Sequence, residues 1–249
     1  MWKRRRSFLK PLCLTLLTLT GAAGWLFGQR FNRQIGQNDP PKTEVVIARW
    51  RYTAMGKYRG TGWSHNYPSS DSHFVQVLGE STLIDVNSRS YRIVDLGSPE
   101  VFRYPFAVVS EPGELALTPE EVENLRQYID RGGFVLMDDF DGEPDLSVIR
   151  HTLKLAFPDR ELETLTLDDP VFHNFFVIDR LNVVAPYVVG GDPVFYALRN
   201  SKGKIGLIAA YNNDLENFWD YIDESIYPLK PSIEAFRLGI NFLLYAMTR

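Results

Sequence analysis

The feature that most constrains this chain is a well-signalled helix that stops at a glycine pair and leads directly into an apolar run ending in carboxylates. Thr118 stands as N-cap, Pro119 takes the first helical position, and Glu121 closes a capping box. Val122, Leu125, Tyr128 and Ile129 share one helical face, and Gly132-Gly133 end it. Phe134-Val135-Leu136-Met137 follows, then Asp138-Asp139-Phe140-Asp141-Gly142. A short apolar run between turn signals reads as a buried strand, of the parallel kind. Ligands in open α/β sheets bind beyond the carboxyl ends of strands, where Asp138, Asp139 and Asp141 fall.

The rest of the chain supplies partners for that strand. Residues 45–52 begin β-branched and read as a first strand, followed by a glycine- and aromatic-rich loop over 56–68. Ser69-Ser70-Asp71 caps a helix that places Phe74, Val75 and Leu78 on one side. Residues 83–86 and 91–96 read as short strands, and 105–110 as another buried one. A helix is expected over 146–157, and an irregular aromatic stretch over 171–184. Residues 194–198 and 205–211 are strands joined by a turn at Asn200-Ser201-Lys202-Gly203, and a closing helix opens at Pro231-Ser232. Strands alternating with helices predict a three-layer α/β domain with a mostly parallel sheet, helices on both faces and an antiparallel addition near the C-terminus. The chain has 249 residues, 45% hydrophobic and 23% charged, which suits one such domain over 44–249.

The first 43 residues read differently. Arg5-Arg6-Ser7-Phe8-Leu9-Lys10 resembles the twin-arginine export signal, with Arg4 where a Ser or Thr is usual. A modest apolar region over 11–27, diluted by threonine and glycine, completes a secretory signal over residues 1–28. A spanning helix needs about 20 apolar residues, and this run is shorter, but it has no clean Ala-x-Ala cleavage site. The expected location is therefore the periplasm. The export machinery is one partner, and the membrane is touched only through the N-terminal segment where that stays uncleaved. Residues 29–43, with Pro40-Pro41, read as a linker. The single cysteine, Cys13, lies inside the signal, so disulfides and thiolate chemistry are not expected in the domain. Removing the five basic residues Lys3, Arg4, Arg5, Arg6 and Lys10 takes the formal charge from -4 to -9, which argues against a nucleic-acid partner.

If the sheet is parallel, its strand ends bring polar groups to one rim. The first loop offers Trp63, His65 and Tyr67, the strand ending at Ser110 offers Glu111, the central strand offers Asp138, Asp139 and Asp141, and the late strand offers Asn213 and Asp214. His173 is a further candidate for the same rim. Carboxylates with amide oxygens suit a hard divalent cation, and a histidine beside a carboxylate suits a general base. The same aspartates also suit helix caps and loop amides, and Trp63, Tyr67 and Phe172 suit either a binding platform or loop anchorage. No phosphate loop, zinc motif or Gly-x-Ser-x-Gly elbow is present.

Several runs in one order resemble the domain-of-unknown-function family 4159: Phe102-Arg103-Tyr104-Pro105-Phe106, Leu117-Thr118-Pro119-Glu120-Glu121, Arg131-Gly132-Gly133-Phe134 through Asp138-Asp139-Phe140, Asp169-Pro170-Val171-Phe172-His173, Asn213-Asp214 and Leu238-Gly239-Ile240-Asn241. That resemblance implies a flavodoxin-like sheet similar to the class I glutamine amidotransferase superfamily, in bacterial envelope proteins. It implies no established activity. Asp141-Gly142 stands where family members often carry His-Gly, and the amidotransferase cysteine is absent. Two functions compete on this reading. One is a non-catalytic envelope module that binds a ligand or a partner protein at the acidic, aromatic rim. The other is a periplasmic hydrolase using Asp139 and His173, with or without a metal.

Overall fold

The computed structural model describes residues 36–182 and 191–249. The expected export signal, the expected linker up to residue 35 and the end of the aromatic stretch lie outside the described residues. Among the described residues no helix is long and apolar enough to cross a membrane.

Among the described residues, seven strands form one sheet, in the order β2-β1-β3-β4-β7-β6-β5. They are β1 (Ile47–Arg51), β2 (Tyr91–Asp95), β3 (Phe106–Ser110), β4 (Phe134–Phe140), β5 (Glu163–Thr164), β6 (Val194–Arg199) and β7 (Ile205–Tyr211). The neighbours from β2 to β7 pair in parallel, whereas β6 and β5 run antiparallel at one edge. Every residue of β3 is buried, as expected of a central strand covered on both faces. The helices are α1 (Ser69–Ser81), α2 (Pro119–Asp130), α3 (Gly142–Ala156), α4 (Leu215–Asp220) and α5 (Leu229–Thr248). α1, α4 and α5 pack on one another over one face, while α2 packs with α3 over the other. The expected three-layer fold with its antiparallel addition is the one observed.

Close packing explains one glycine. A Cβ on Gly239 would lie 2.5 Å from Trp219 and 2.6 Å from Phe74, so only glycine lets α5 approach α4 and α1 this closely. Across the sheet, Trp50 meets Tyr128 edge-on at 4.8 Å and ties β1 to α2.

Three local expectations need correction. Residues 83–86 form no strand, and Leu83 is fully exposed. The reason is that β2 is already the sheet edge, and side-chain amides occupy its outer side. Gln37 bonds the backbone of Ile93 through both its amide atoms at 2.8 and 3.1 Å, and Asn38 bonds Arg89 and Tyr91. This covers an edge that would otherwise be open to further pairing. The last helix starts at Leu229, ahead of Pro231, because a first-turn proline forfeits no helical hydrogen bond. The short helix α4, unsignalled by periodicity, follows β7 directly and is central to the site.

The helix α2 begins as the sequence requires, with a full capping box between Thr118 and Glu121. Glu121 does more: its Oε1 accepts from the Thr53 backbone N–H at 2.8 Å, so the cap also anchors the loop after β1. Thr118→Ala should lower stability by about 1 kcal/mol, the usual cost of an N-cap, measured by chemical denaturation. An unmoved midpoint would mean the cap bond contributes nothing.

Candidate functional site

The carboxyl ends of β1, β3, β4 and β7 lie on one rim, and beneath it sits a buried charge network. Arg49 on β1 is fully buried and pairs with Asp71 of α1 at 2.7 Å and with Glu216 of α4. Its Nη1 donates to Ser110 Oγ at the end of β3, and that hydroxyl donates to Glu216 Oε2. Burial opposes the charge on Arg49, but Asp71 and Glu216 beside it hold its pKa above the ordinary value. Burial pushes Glu216 the other way, toward protonation, and Arg49 pulls it back.

The loop over β1 is held by a second carboxylate set. Glu114 Oε1 accepts from the Tyr58 backbone N–H at 2.6 Å, and Tyr58 stacks on the His65 ring at 5.6 Å. A Cβ on Gly62 would meet Glu114 Oε2 at 2.7 Å, so glycine is required where this loop crosses the carboxylate. Asn66 then ties the loop to α4 through Asn217 and Asp220.

Above this frame, four carboxyl groups converge. Asp139 adopts left-handed backbone (φ +62°) at the irregularity where β4 shifts register against β7. That kink lets two successive aspartates serve the same region. Asp138 is buried and its Oδ2 accepts from the Glu216 N–H at 2.9 Å, while Asp214 caps α4 by accepting from the Asn217 N–H at 2.9 Å. The Oδ2 of Asp139 contacts His65 Nδ1. Glu111, also left-handed (φ +50°), places Oε1 3.4 Å from the same His65 nitrogen and Oε2 3.4 Å from Lys57 Nζ. His65 is 41% exposed and Asp139 14% exposed, so the cluster opens to solvent at these two residues.

Burial and mutual repulsion shape the acidities. Burial raises Asp138 well above the carboxylate range, with Asp214 and Glu216 adding to it. Burial, then the charge of Glu111, pushes Asp139 from 3.8 up to about 7. Burial likewise raises Glu111, against the pull of Tyr58 and Lys57.

The structure thus brings together His65, Glu111, Asp138, Asp139 and Asp214. Asn213 lies close in sequence but is buried, its Nδ2 donating to the Tyr211 carbonyl at 3.2 Å. Three expectations about rim residues are corrected. Asp141 is exposed as the residue before α3 and makes no part of the cluster. His173 sits after a short 3-10 turn, Pro170–Phe172, that packs on α5, and its Nε2 contacts the Leu167 carbonyl. The chain between residues 165 and 178 is committed to the antiparallel edge and α5, which keeps His173 from His65's neighbours. Trp63, Tyr67 and Phe172 form no platform. Trp63 and Tyr67 are buried under the loop, against Arg51 and Tyr91, and Phe172 packs on Phe195 and Phe242. The aromatic at the mouth is Tyr58, with Lys57 Nζ 4.6 Å from its ring centre. The sequence did carry one signal for the buried network: an arginine within the apolar run Val45-Val46-Ile47-Ala48-Arg49-Trp50, which only a partnered charge tolerates.

Comparison with known families gives one finding. The family described as Domain of unknown function (DUF4159) matches residues 47–247, most of the chain. The chain belongs to that family. No curated protein matches it.

The raised pKa of Asp139 acts on stability with a definite sign. Between pH 3.8 and about 7 the folded state holds a proton that the unfolded chain releases, so stability is fullest below that range and falls as pH rises through it. The urea midpoint should therefore fall between pH 5 and pH 8, and Asp139→Asn should flatten that slope. An equal slope in the variant would assign the effect to other groups.

Proposed function

We propose that this member of the family is an exported envelope module that binds a positively charged ligand or partner group at the acidic rim. One observation carries the reading: the rim holds more buried carboxyls than cations. Among the described residues, Arg49 is committed to Asp71 and Glu216, and Lys57 is the cation beside Glu111 and Asp139. Lys57 is itself 61% exposed on a flexible stem, so it neutralises the cluster weakly and yields readily to a competitor. A cation entering beside His65 offsets the negative charge that burial and Glu111 make costly on Asp139.

A second reading is supported by the contact between His65 and Asp139. A carboxylate on Nδ1 orients the ring and leaves Nε2 as the acceptor, the arrangement of a general base. His65 takes the place that the sequence assigned to His173, and a hydrolase of this kind would activate water instead of a side-chain nucleophile.

The cation reading is tested by thermal shift and calorimetry at pH 8, with spermidine, lysinamide and divalent metal ions as probes. At least one probe should bind saturably, and Asp139→Asn should weaken it tenfold or more while circular dichroism stays unchanged. Binding that ignores Asp139, or no binding by any probe, would reject it.

Export rests on Arg5, Arg6, Phe8, Leu9 and Lys10. Lysine keeps the charge but lacks the guanidinium fork that a receptor reads. Replacing Arg5 and Arg6 by lysine should retain the protein inside the cell, as followed by fractionation. Undiminished periplasmic protein would exclude the twin-arginine route.

A further inference from the structure

We infer that His65 Nδ1, Glu111 Oε1 and Asp139 Oδ2 form a three-ligand site for a divalent transition-metal ion, with the remaining coordination positions open to solvent. This rests on the cation-binding reading and narrows its ligand to a metal.

The three donor atoms come from the loops after β1 and β3 and from the end of β4, and all lie within 4.8 Å of one another. A metal with bonds of about 2.0–2.2 Å to nitrogen and oxygen needs neighbouring donors roughly 3–4 Å apart. His65 Nδ1 and Glu111 Oε1 already stand at 3.4 Å. His65 Nδ1 and Asp139 Oδ2 sit at hydrogen-bond separation and need only a small outward movement, which the half-exposed imidazole permits.

The donor set selects the metal class. Mg2+ and Ca2+ prefer all-oxygen sites with six or more ligands, whereas an imidazole with two carboxylates suits Zn2+, Mn2+ or Co2+. Supporting contacts hold the carboxylates in place. Asp139 follows Asp138, whose Oδ2 accepts from the Glu216 N–H at 2.9 Å, and the Glu111 N–H donates to the Asp138 carbonyl at 3.2 Å. Outer partners of this kind orient ligands in known metal sites. Three protein ligands and an open position are the pattern of sites where the metal takes up a further group, water included. Tyr58 and Lys57 stand beside that opening, with Lys57 free to leave Glu111 and face an anionic group on the metal.

The experiment uses the full-length, untagged protein, stripped with chelator and titrated separately with Zn2+, Co2+, Mn2+, Mg2+ and Ca2+. Calorimetry measures stoichiometry, and the visible spectrum of Co2+ reports its ligand geometry. One Zn2+ or Co2+ per chain is expected, bound at least tenfold more tightly than Mg2+ or Ca2+. His65→Ala, Glu111→Gln and Asp139→Asn should each weaken it tenfold or more, whereas His173→Ala should not. The two isosteric variants guard against a loss that merely reflects unfolding. Absence of saturable binding by any transition metal, or binding indifferent to His65, overturns the inference. If spermidine or lysinamide still binds in an Asp139-dependent way, the metal inference alone falls. If no cation binds, both readings fall.

Discussion

Arg49 is a guanidinium without access to water, placed in the middle of an apolar strand. Such a charge persists only if its donors are matched. Asp71, Ser110 and Glu216 match them from α1, β3 and α4. The network therefore does for the rim what apolar contact does for the core: it fixes three elements relative to β1 in one arrangement. An unmatched alternative would strand a charge in low dielectric, which costs several kcal/mol. Glu216, placed this way, presents its N–H to Asp138, so the buried pair also sets the lower wall of the site.

The rim above is negative by construction. β4 brings two successive aspartates to one region through a register irregularity, and β3 ends in a left-handed Glu111 that turns back toward them. Asp214 is drawn in by capping α4. Each carboxylate has a structural partner, yet together they outnumber the cations nearby. Their raised pKa values follow from burial and from that crowding, and the cluster opens to solvent at His65 and Asp139. Structural and functional roles coexist here: Asp138 and Asp214 hold α4, while Asp139, Glu111 and His65 face the opening.

The alternation of buried strands and capped helices decided the fold from the sequence alone. Thr118, Pro119 and Glu121 specify a helix start chemically, and the Gly132-Gly133 stop followed by Phe134 to Met137 specifies a buried strand. Local propensity and burial period suffice for such elements, because each depends on neighbours a few residues away. The parallel order then placed the loops after β1, β3, β4 and β7 at one edge, so Glu111, Asp138, Asp139, Asp214 and His65 were all legible as rim residues.

What the sequence could not decide was which polar groups meet. His173 and Asp141 carry the same chemistry as His65 and Asp139, but the fold turns His173 to the Leu167 carbonyl and leaves Asp141 exposed ahead of α3. Trp63 and Tyr67 look like a platform until their burial under the loop is known. The partners of Arg49, Asp71 and Glu216, lie 22 and 167 positions along the chain (71 - 49 and 216 - 49), so only the tertiary structure joins them. Charge pairing and burial are long-range properties of the folded packing. The sequence therefore determined the sheet and its rim, and the tertiary structure determined the site, because a carboxylate's acidity and reach are set by what surrounds it in space.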